Sequence, residues 1–492
     1  MEKFYVACDF GVRTSRIMLG ALHHQKLTLS ELRRFKTPVI KEKKSLQWNL
    51  PEIYRETVLA LSELGAQEVN LAGISCTSWG SDYMLFDPDD ALLTPVYHHG
   101  DPRVLDGVKA VSTKISSDTI YEETGVQSRA GNTLFQLAAE SSRRLKRGNR
   151  LLPFADGFNH LLGGDRCVEM SAASTTQLFN PTTRTWSNRM VSGLRLPSDF
   201  LPPIVTPGTK LGRMRADLAK QTRLEDAMVI ASCSNELSAA LAGLPLGHGK
   251  DWAYLRVGDE SILGTEVPAP LISKLSRELG YSNECCLGGA TNFCKRTIGL
   301  WLYEECRRFW VTQDRELSDD VLMHLATTSP AFECFINLAD PRFAEPGDMP
   351  LKVQAYCRDT GQEIPRKPGQ IVRCVLESLA LEYRKAFQEL ELLTGSKFTR
   401  LYLFGSAENS LLNHFVVNAL QVPIILASPE AAPIGNVLIQ ALALRHIPSL
   451  GEGLEILRNS LKTQAIVPHP ASWDTAASRM LELESPATEL AQ

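Results

Sequence analysis

An α/β fold built in two related halves is predicted for this chain of 492 residues. Three observations carry the prediction. Short β-rich runs alternate with amphipathic helical stretches along most of the length. Both halves open on strand, turn and strand with a glycine in the turn, Gly11 in the first and Gly258 in the second. A turn-rich break, Leu244-Pro-Leu-Gly-His-Gly-Lys250, lies between them. The length itself suits two or three domains of roughly 100–200 residues. The expected division is 1–246, 247–472 and a tail at 473–492.

The elements follow in order. Residues 4–8 and 17–21 read as a β-hairpin around Gly11. Residues 53–64 carry Ile53, Val58, Leu61 and Leu64 at helical spacing. Residues 70–77 read as a buried strand and 83–86 as its partner. Residues 130–145 and 156–162 read as helical, and 201–209 as a proline-rich loop. An Ala/Leu-rich helix is expected over 237–244. The second half restarts with a strand at 252–257 and an amphipathic helix at 298–310. A longer helix at 368–393 places Ile371, Val375, Leu379 and Tyr383 on one face. Strand, helix, strand and helix then follow at 400–404, 410–420, 423–427 and 434–444. The tail is rich in Ala, Glu and Ser, has no strong partner pattern, and is expected to be partly mobile.

Composition narrows the function classes. Net charge is −4 with no long Lys/Arg run, so nucleic acid is not an expected partner. No apolar stretch reaches the roughly 18 residues of a membrane helix. The first nine residues lack the pattern of a signal peptide. The eleven cysteines form no CxxC pair, and Cys285 and Cys286 are adjacent. A reducing cytoplasm is the expected compartment.

Four turns stand out. Asp9-Phe-Gly11 is followed by Thr14 and Arg16. Arg256-Val-Gly-Asp-Glu-Ser261 is the matching turn of the second half. Leu403-Phe-Gly-Ser-Ala-Glu-Asn409 and Ser428-Pro-Glu-Ala-Ala-Pro-Ile-Gly-Asn436 join strands to helices. A glycine in such a turn lets N–H groups approach phosphate oxygens, and a nearby carboxylate can hold Mg²⁺. Taken singly, each is an ordinary hairpin or strand–helix connection.

Together with other stretches these turns resemble the FGGY family of carbohydrate kinases, and within it the rhamnulokinase branch. The stretches include Thr77-Ser-Trp-Gly-Ser-Asp82, Asp101-Pro-Arg103, Gly125-Val-Gln127, Asn132-Thr-Leu-Phe-Gln136, Asp156-Gly-Phe158 and Ser174-Thr-Thr-Gln-Leu178. In the second half Gly299-Leu-Trp301, Phe335-Ile-Asn337 and Asp340-Pro-Arg-Phe343 also fit. The resemblance spans about residues 4–450. It implies two actin-like ATPase (ribonuclease H-like) domains with a cleft between them. It also implies Mg-ATP as the cofactor, if the chain is active, and a small-molecule sugar as partner. A homodimer is one of the oligomeric states left open. By the same resemblance, Asp9 would place the metal. Gly11, Arg13, Thr14, Gly258 and Asp259 would flank the phosphates, and Gly405, Asn409, Glu430, Gly435 and Asn436 would frame the adenosine. Trp79, Asp82, Asp101 and Arg103 would hold the sugar. Trp79 reads equally well as a core aromatic.

The chain departs from that family at the chemistry. The segment Ile230-Ala-Ser-Cys-Ser-Asn-Glu-Leu-Ser-Ala should open a helix with the aspartate that takes a proton from the sugar hydroxyl. Asn235 holds that place, with Glu236 beside it. An amide has no basic lone pair, so Asn235 cannot be a general base. Glu236 is one methylene longer than aspartate and is the candidate substitute. Asp259 puts a carboxylate near the expected phosphates, Arg13 replaces a small hydroxyl residue, and the adenosine turn keeps one glycine, Gly405, with Ser406 and Ala407 beside it. Two readings follow: a working kinase with a displaced base, or an inactive relative that binds a sugar or sugar phosphate as a sensor or partner protein. Other candidates are weaker. His98 and His99 should point apart on a strand and make poor joint ligands. Cys233 reads as a small buried residue.

Overall fold

A computed structural model of the chain describes residues 2–197, 199–247, 249, 251–313, 317–406, 409–469 and 472–484. Ala407 therefore lies outside the described residues. Two compact units are present. One comprises Met1–His248, Glu266–Phe293 and Glu430–Lys462; the other comprises Gly249–Thr265, Cys294–Pro429 and Thr463–Gln492. The units are thus not separated by one break in the sequence. Two later segments pack in the first unit.

The first unit is built on a six-stranded mixed sheet. Its strand order is Thr209–Arg213, Met228–Ala231, Leu71–Ser78, Lys3–Phe10, Thr14–His23, Lys26–Lys36. Lys3–Phe10 runs parallel to Leu71–Ser78 and antiparallel to Thr14–His23. Residues 5–10 are buried on both faces, which explains why they read as a continuous apolar run. Val6, Cys8 and Phe10 face one core with Ile53, Leu61 and Leu64 of the helix Leu50–Gly65. Tyr5 and Ala7 face a second core with Ile434, Val437, Leu438 and Ala441 of the helix Ala431–Ala443. The period-2 geometry of a strand assigns alternate residues to these two cores.

The helix Ala431–Ala443 crosses the helix Glu236–Ala242 through a pair of glycines. A Cβ on Gly435 would lie 1.9 Å from the Ala239 carbonyl oxygen, and one on Gly243 would lie 2.0 Å from that of Ala431. The backbones touch, and no other side chain fits at either position. Two amides complete the contact. Gln440 Nε2 donates to the Val6 carbonyl at 2.9 Å and to Asn436 Oδ1 at 2.7 Å. Asn436 Nδ2 donates to the Ser75 carbonyl at 3.4 Å. Gly435 and Asn436, expected at an adenosine, are instead fully enclosed here. Asn436 has no exposed surface and its amide serves the strand.

In the second unit the strands run in the order Thr291–Ile298, Glu260–Val267, Trp252–Val257, Arg400–Gly405, Ile424–Leu426, Gln464–Ile466. Trp252–Val257 pairs antiparallel with its hairpin partner and parallel with Arg400–Gly405. The helix Pro368–Thr394 buries the face carrying Ile371, Val375, Leu379 and Tyr383. It stops at Gly395, whose φ of 65° is the left-handed conformation that favours glycine.

Two expectations are corrected. Residues 130–145 form two short helices, Thr133–Ala138 and Ser142–Arg147, because Ser141 caps the second by accepting from the Arg144 N–H. The stretch at 298–310 begins as strand through Ile298 and turns helical only at Trp301–Thr312. The tail contains the helix Trp473–Glu484, and Trp473 is buried edge-on against Phe332, with their ring centroids 5.0 Å apart. Among the described residues, no helix is long and apolar enough to cross a membrane.

Gly435→Ala is expected to force the two helices apart and to lower stability by about 1–3 kcal/mol. A denaturant melt that leaves the midpoint unchanged would contradict this packing.

Candidate active site

The site in the first unit starts with the loop that enters the helix Glu236–Ala242. Its backbone is held from beneath by two buried carboxyl groups. Glu169 accepts from the Ser234 N–H at 2.8 Å and the Ser171 N–H at 2.9 Å, and also from Ser171 Oγ. Asp156 accepts from Ser234 Oγ at 2.6 Å and from the Glu169 N–H at 3.1 Å. Burial pushes Glu169 up to about 7, against its hydrogen bonds. Burial and the neighbouring Glu169 push Asp156 well above the ordinary carboxylate range. Ser171 Oγ also receives the Asn235 N–H at 3.0 Å.

This cradle sets what Asn235 does. Its backbone is extended and its Oδ1 accepts from the Leu237 and Ser238 N–H groups at 3.0 and 3.2 Å. Asn235 is an N-cap, a role asparagine and aspartate fill equally well. It is 3% exposed. Gly80, at φ 75°, lies over it; a Cβ there would come 3.3 Å from the Asn235 side-chain nitrogen.

Glu236 is the first residue of that helix and is half-buried. Its charge acts on Asp9, at the end of the strand Lys3–Phe10. Burial lifts Asp9 above its ordinary value, Arg16 pulls it down, and Glu236 adds to the lift. Arg16 donates to Asp9 Oδ2 at 2.6 and 3.1 Å. Oδ1 takes a long contact, 3.4 Å, from Thr77 Oγ1. The Gly11 turn that follows is tight: a Cβ on Gly11 would sit 2.5 Å from the Thr14 carbonyl oxygen. Arg13 and Thr14 are exposed on it. A pair of carboxyl groups beside a glycine turn fits a magnesium–nucleotide, since a divalent cation relieves their repulsion.

Next to this lies a wall of rings. Trp48 and Trp79 pack with centroids 4.5 Å apart, Phe154 lies 4.7 Å from Trp79, and His98 lies 4.4 Å from Trp48. His98 and His99 stack at 4.1 Å. They do not point apart, because they leave the strand Val96–Tyr97 in a turn closed by Gly100 N–H donating to His98 Nδ1. Asp82 holds the wall together. Its Oδ2 accepts from Trp48 Nε1 at 2.7 Å, Trp79 Nε1 at 3.0 Å and His99 Nδ1 at 3.0 Å, and its Oδ1 from Gln136 Nε2 at 2.8 Å.

The expected sugar ligands are therefore placed differently from the sequence reading. Asp82 has both oxygens engaged and its side chain enclosed. Asp101 is also buried; it accepts from Ser45 Oγ and the Leu46 N–H at 2.8 and 2.7 Å, and from the Arg103 N–H at 2.9 Å. The Arg103 guanidinium covers the Tyr97 ring at 3.7 Å and reaches the Gln136 carbonyl. These three residues shape the wall. Trp79, His98 and His99 keep exposed surface on it. Trp48 was missed, and the histidines set aside, because no local pattern in the sequence brings residues 48, 79 and 98 together.

In the second unit the Gly258 turn is clamped by the start of the helix Trp301–Thr312. The Leu300 N–H donates to the Gly258 carbonyl at 2.7 Å, and the Gly299 N–H to that of Asp259 at 2.9 Å. Gly405 takes φ 89°, and a Cβ there would lie 2.2 Å from the Val257 carbonyl oxygen. Asn409 caps the helix Ser410–Leu420 by accepting from the Leu412 N–H at 2.9 Å. In the first unit, Glu430 precedes the helix Ala431–Ala443.

The two histidines should titrate apart. Burial and the neighbouring His99 hold His98 down to about 4. Burial also pulls on His99, but the Asp82 carboxylate outweighs it and leaves His99 raised. Asp82 would rise on burial, yet His99 and its other donors hold it below its ordinary value. His99 thus adds stability that is fully present below its unfolded pKa of about 6.5 and is lost as pH rises through its folded value. NMR titration is expected to show His99 above His98, with the gap shrinking in Asp82→Asn. Equal titration of the two rings would contradict the arrangement.

Comparison with known proteins agrees with this architecture. The N-terminal domain of the FGGY family of carbohydrate kinases matches residues 4–243, and the C-terminal domain of that family matches residues 253–444. A rhamnulokinase from Enterococcus faecalis is 32% identical over 473 residues, covering 95% of each chain. A rhamnulokinase from Bacteroides thetaiotaomicron is 32% identical over 483 residues, covering 97% of this chain and 98% of its own. Two solved structures share the fold: a ligand-bound xylulose kinase from Lactobacillus acidophilus at TM-score 0.81 and 16% identity, covering 98% of each chain, and Plasmodium falciparum glycerol kinase with ADP at TM-score 0.79 and 13% identity, covering 98% of this chain and 97% of its own. The chain belongs to the FGGY family of carbohydrate kinases.

Proposed function

We propose that this chain is a rhamnulokinase-like sugar kinase that moves the γ-phosphoryl group of Mg-ATP to a hydroxyl of a ketose or deoxyketose. The observation that supports this is Glu236, a half-buried carboxylate on the first turn of the helix that Asn235 caps, in electrostatic range of Asp9. It would supply, one residue later, the proton acceptor missing at Asn235. Rhamnulokinase relatives that align over nearly the whole chain support the substrate class.

Glu236 takes the proton of the sugar hydroxyl. Asp9, through Oδ1, would hold the cation. The Gly11 turn, with Arg13 and Thr14, would receive the phosphates. Trp79 would lie against a C–H face of the sugar, and His99 would present its free ring edge to a hydroxyl. Mg-ATP supplies the phosphoryl group and neutralises its charge; the protein contributes position and the base.

One observation favours a second reading. Asn235 is committed to capping its helix, so the chain could persist as an inactive relative that binds sugar and signals. Turnover separates the two. Glu236→Gln is expected to lower kcat by about 10²–10⁴ with sugar affinity kept, and Asn235→Asp in that background should restore part of it, since aspartate caps as well as asparagine. An unchanged kcat in Glu236→Gln would remove Glu236 as the base. Wild-type protein that binds sugar but turns over no ATP would establish the second reading.

A further inference from the structure

The ring wall of the first unit leaves two imidazole edges open. His98 and His99 stack with centroids 4.1 Å apart and 27° between their planes. Each ring has one nitrogen committed. His98 Nδ1 accepts from the Gly100 N–H at 2.8 Å. It therefore carries no proton, and the proton of that ring sits on Nε2. His99 Nδ1 meets Asp82 Oδ2 at 3.0 Å. A carboxylate only accepts, so this nitrogen carries the proton, and Nε2 of the neutral ring holds a lone pair.

Among the described residues neither Nε2 has a hydrogen-bond partner, and neither is one of the buried side-chain atoms left without one. The two tautomers are thus fixed from behind while both Nε2 atoms face water. The His99 side chain is 30% exposed. Two rings could simply cover the tryptophans as packing. Packing does not require that two edges of opposite polarity, a donor and an acceptor, be left open beside each other and beside the half-buried Trp79.

We propose that His98 and His99 read two adjacent hydroxyls of the sugar, His98 Nε2–H donating to one and the other donating to His99 Nε2. This rests on the kinase reading and names its specificity element: a ketose with a free vicinal diol besides the hydroxyl that receives the phosphoryl group. Hydroxyls in a row pass their hydrogen bonds in one direction. Such a chain needs a donor at one end and an acceptor at the other, and each bond in it strengthens the next. Trp79 covers a C–H face of the same sugar. The charged groups acting on the pair are Asp82, on both rings, and Asp101, on His98. As pH falls through the His99 titration, its Nε2 gains a proton, the acceptor end is lost, and the sugar is held less tightly.

The test is calorimetric titration of the whole chain, without nucleotide, with xylulose, ribulose, fructose and 6-deoxy-L-fructose, and then with monodeoxy analogues of the one that binds most tightly. His98→Phe and His99→Phe keep a flat ring in the wall and remove the edges. Each is expected to weaken binding about tenfold, the worth of one or two hydrogen bonds. Analogues lacking either hydroxyl of the diol should bind wild type and the matching variant equally. On wild type alone, Kd should rise as pH is lowered through the range in which NMR shows His99 titrating. The inference is overturned if variants with the near-ultraviolet circular dichroism of wild type bind the sugar as tightly as wild type. It is also overturned if the wild-type Kd is flat through that pH range, or if none of the probes binds. Because the pH series needs no variant, a misfolded one does not decide the matter. Turnover separates this inference from the kinase reading. A chain that phosphorylates a ketose with the same KM in both variants keeps the kinase reading and loses this one; a chain that reads the diol but turns over no ATP does the reverse.

Discussion

Everything at the site depends on how Ser234 is held. Its N–H goes to Glu169 and its hydroxyl to Asp156, and both acceptors are enclosed. Burying two carboxyl groups is unfavourable unless they are protonated or well bonded, and here the raised pKa values and the ring of donors supply both conditions. The return is a loop backbone with one conformation. That conformation makes Asn235 an N-cap and Glu236 the first helical residue. A chain that had lost only its catalytic side chain would keep the same cradle, so the cradle alone does not imply catalysis. The proposal of catalysis rests on Glu236, the carboxylate that this conformation sets on the first turn of the helix.

Asp82 plays the corresponding part for the ring wall. One oxygen gathers two indole N–H groups and an imidazole, which fixes three rings from three distant stretches of chain. Removing that carboxylate would leave several buried donors unsatisfied at once, a larger penalty than losing one surface contact. The rings then present a stiff, partly apolar face with a histidine at its edge. A sugar offers both C–H faces and hydroxyls to such a surface.

Much of the fold was legible because local rules sufficed. The hairpin around Gly11, the strand at 71–78 and the long helix at 368–394 follow from apolar period and turn residues alone. The site was legible in part. Asn235, Glu236, Asp9 and Gly11 were singled out from motif order, and they lie in one region of the first unit; the roles given to them are the proposal above. Gly435 and Asn436 were misplaced because a Gly-Asn pair suits a ligand loop and a helix crossing equally; only the Ala239 carbonyl at 1.9 Å from a hypothetical Cβ decides between them. His98 and His99 were dismissed by strand geometry that a turn cancels.

The most direct measurement is calorimetric titration of the wild-type protein with Mg-ATP, alone and then in the presence of a panel of ketoses and deoxyketoses. A working kinase requires nucleotide binding that tightens with one of these sugars, because the two ligands share one reaction. Sugar binding with no detectable nucleotide binding at any sugar concentration would contradict the account.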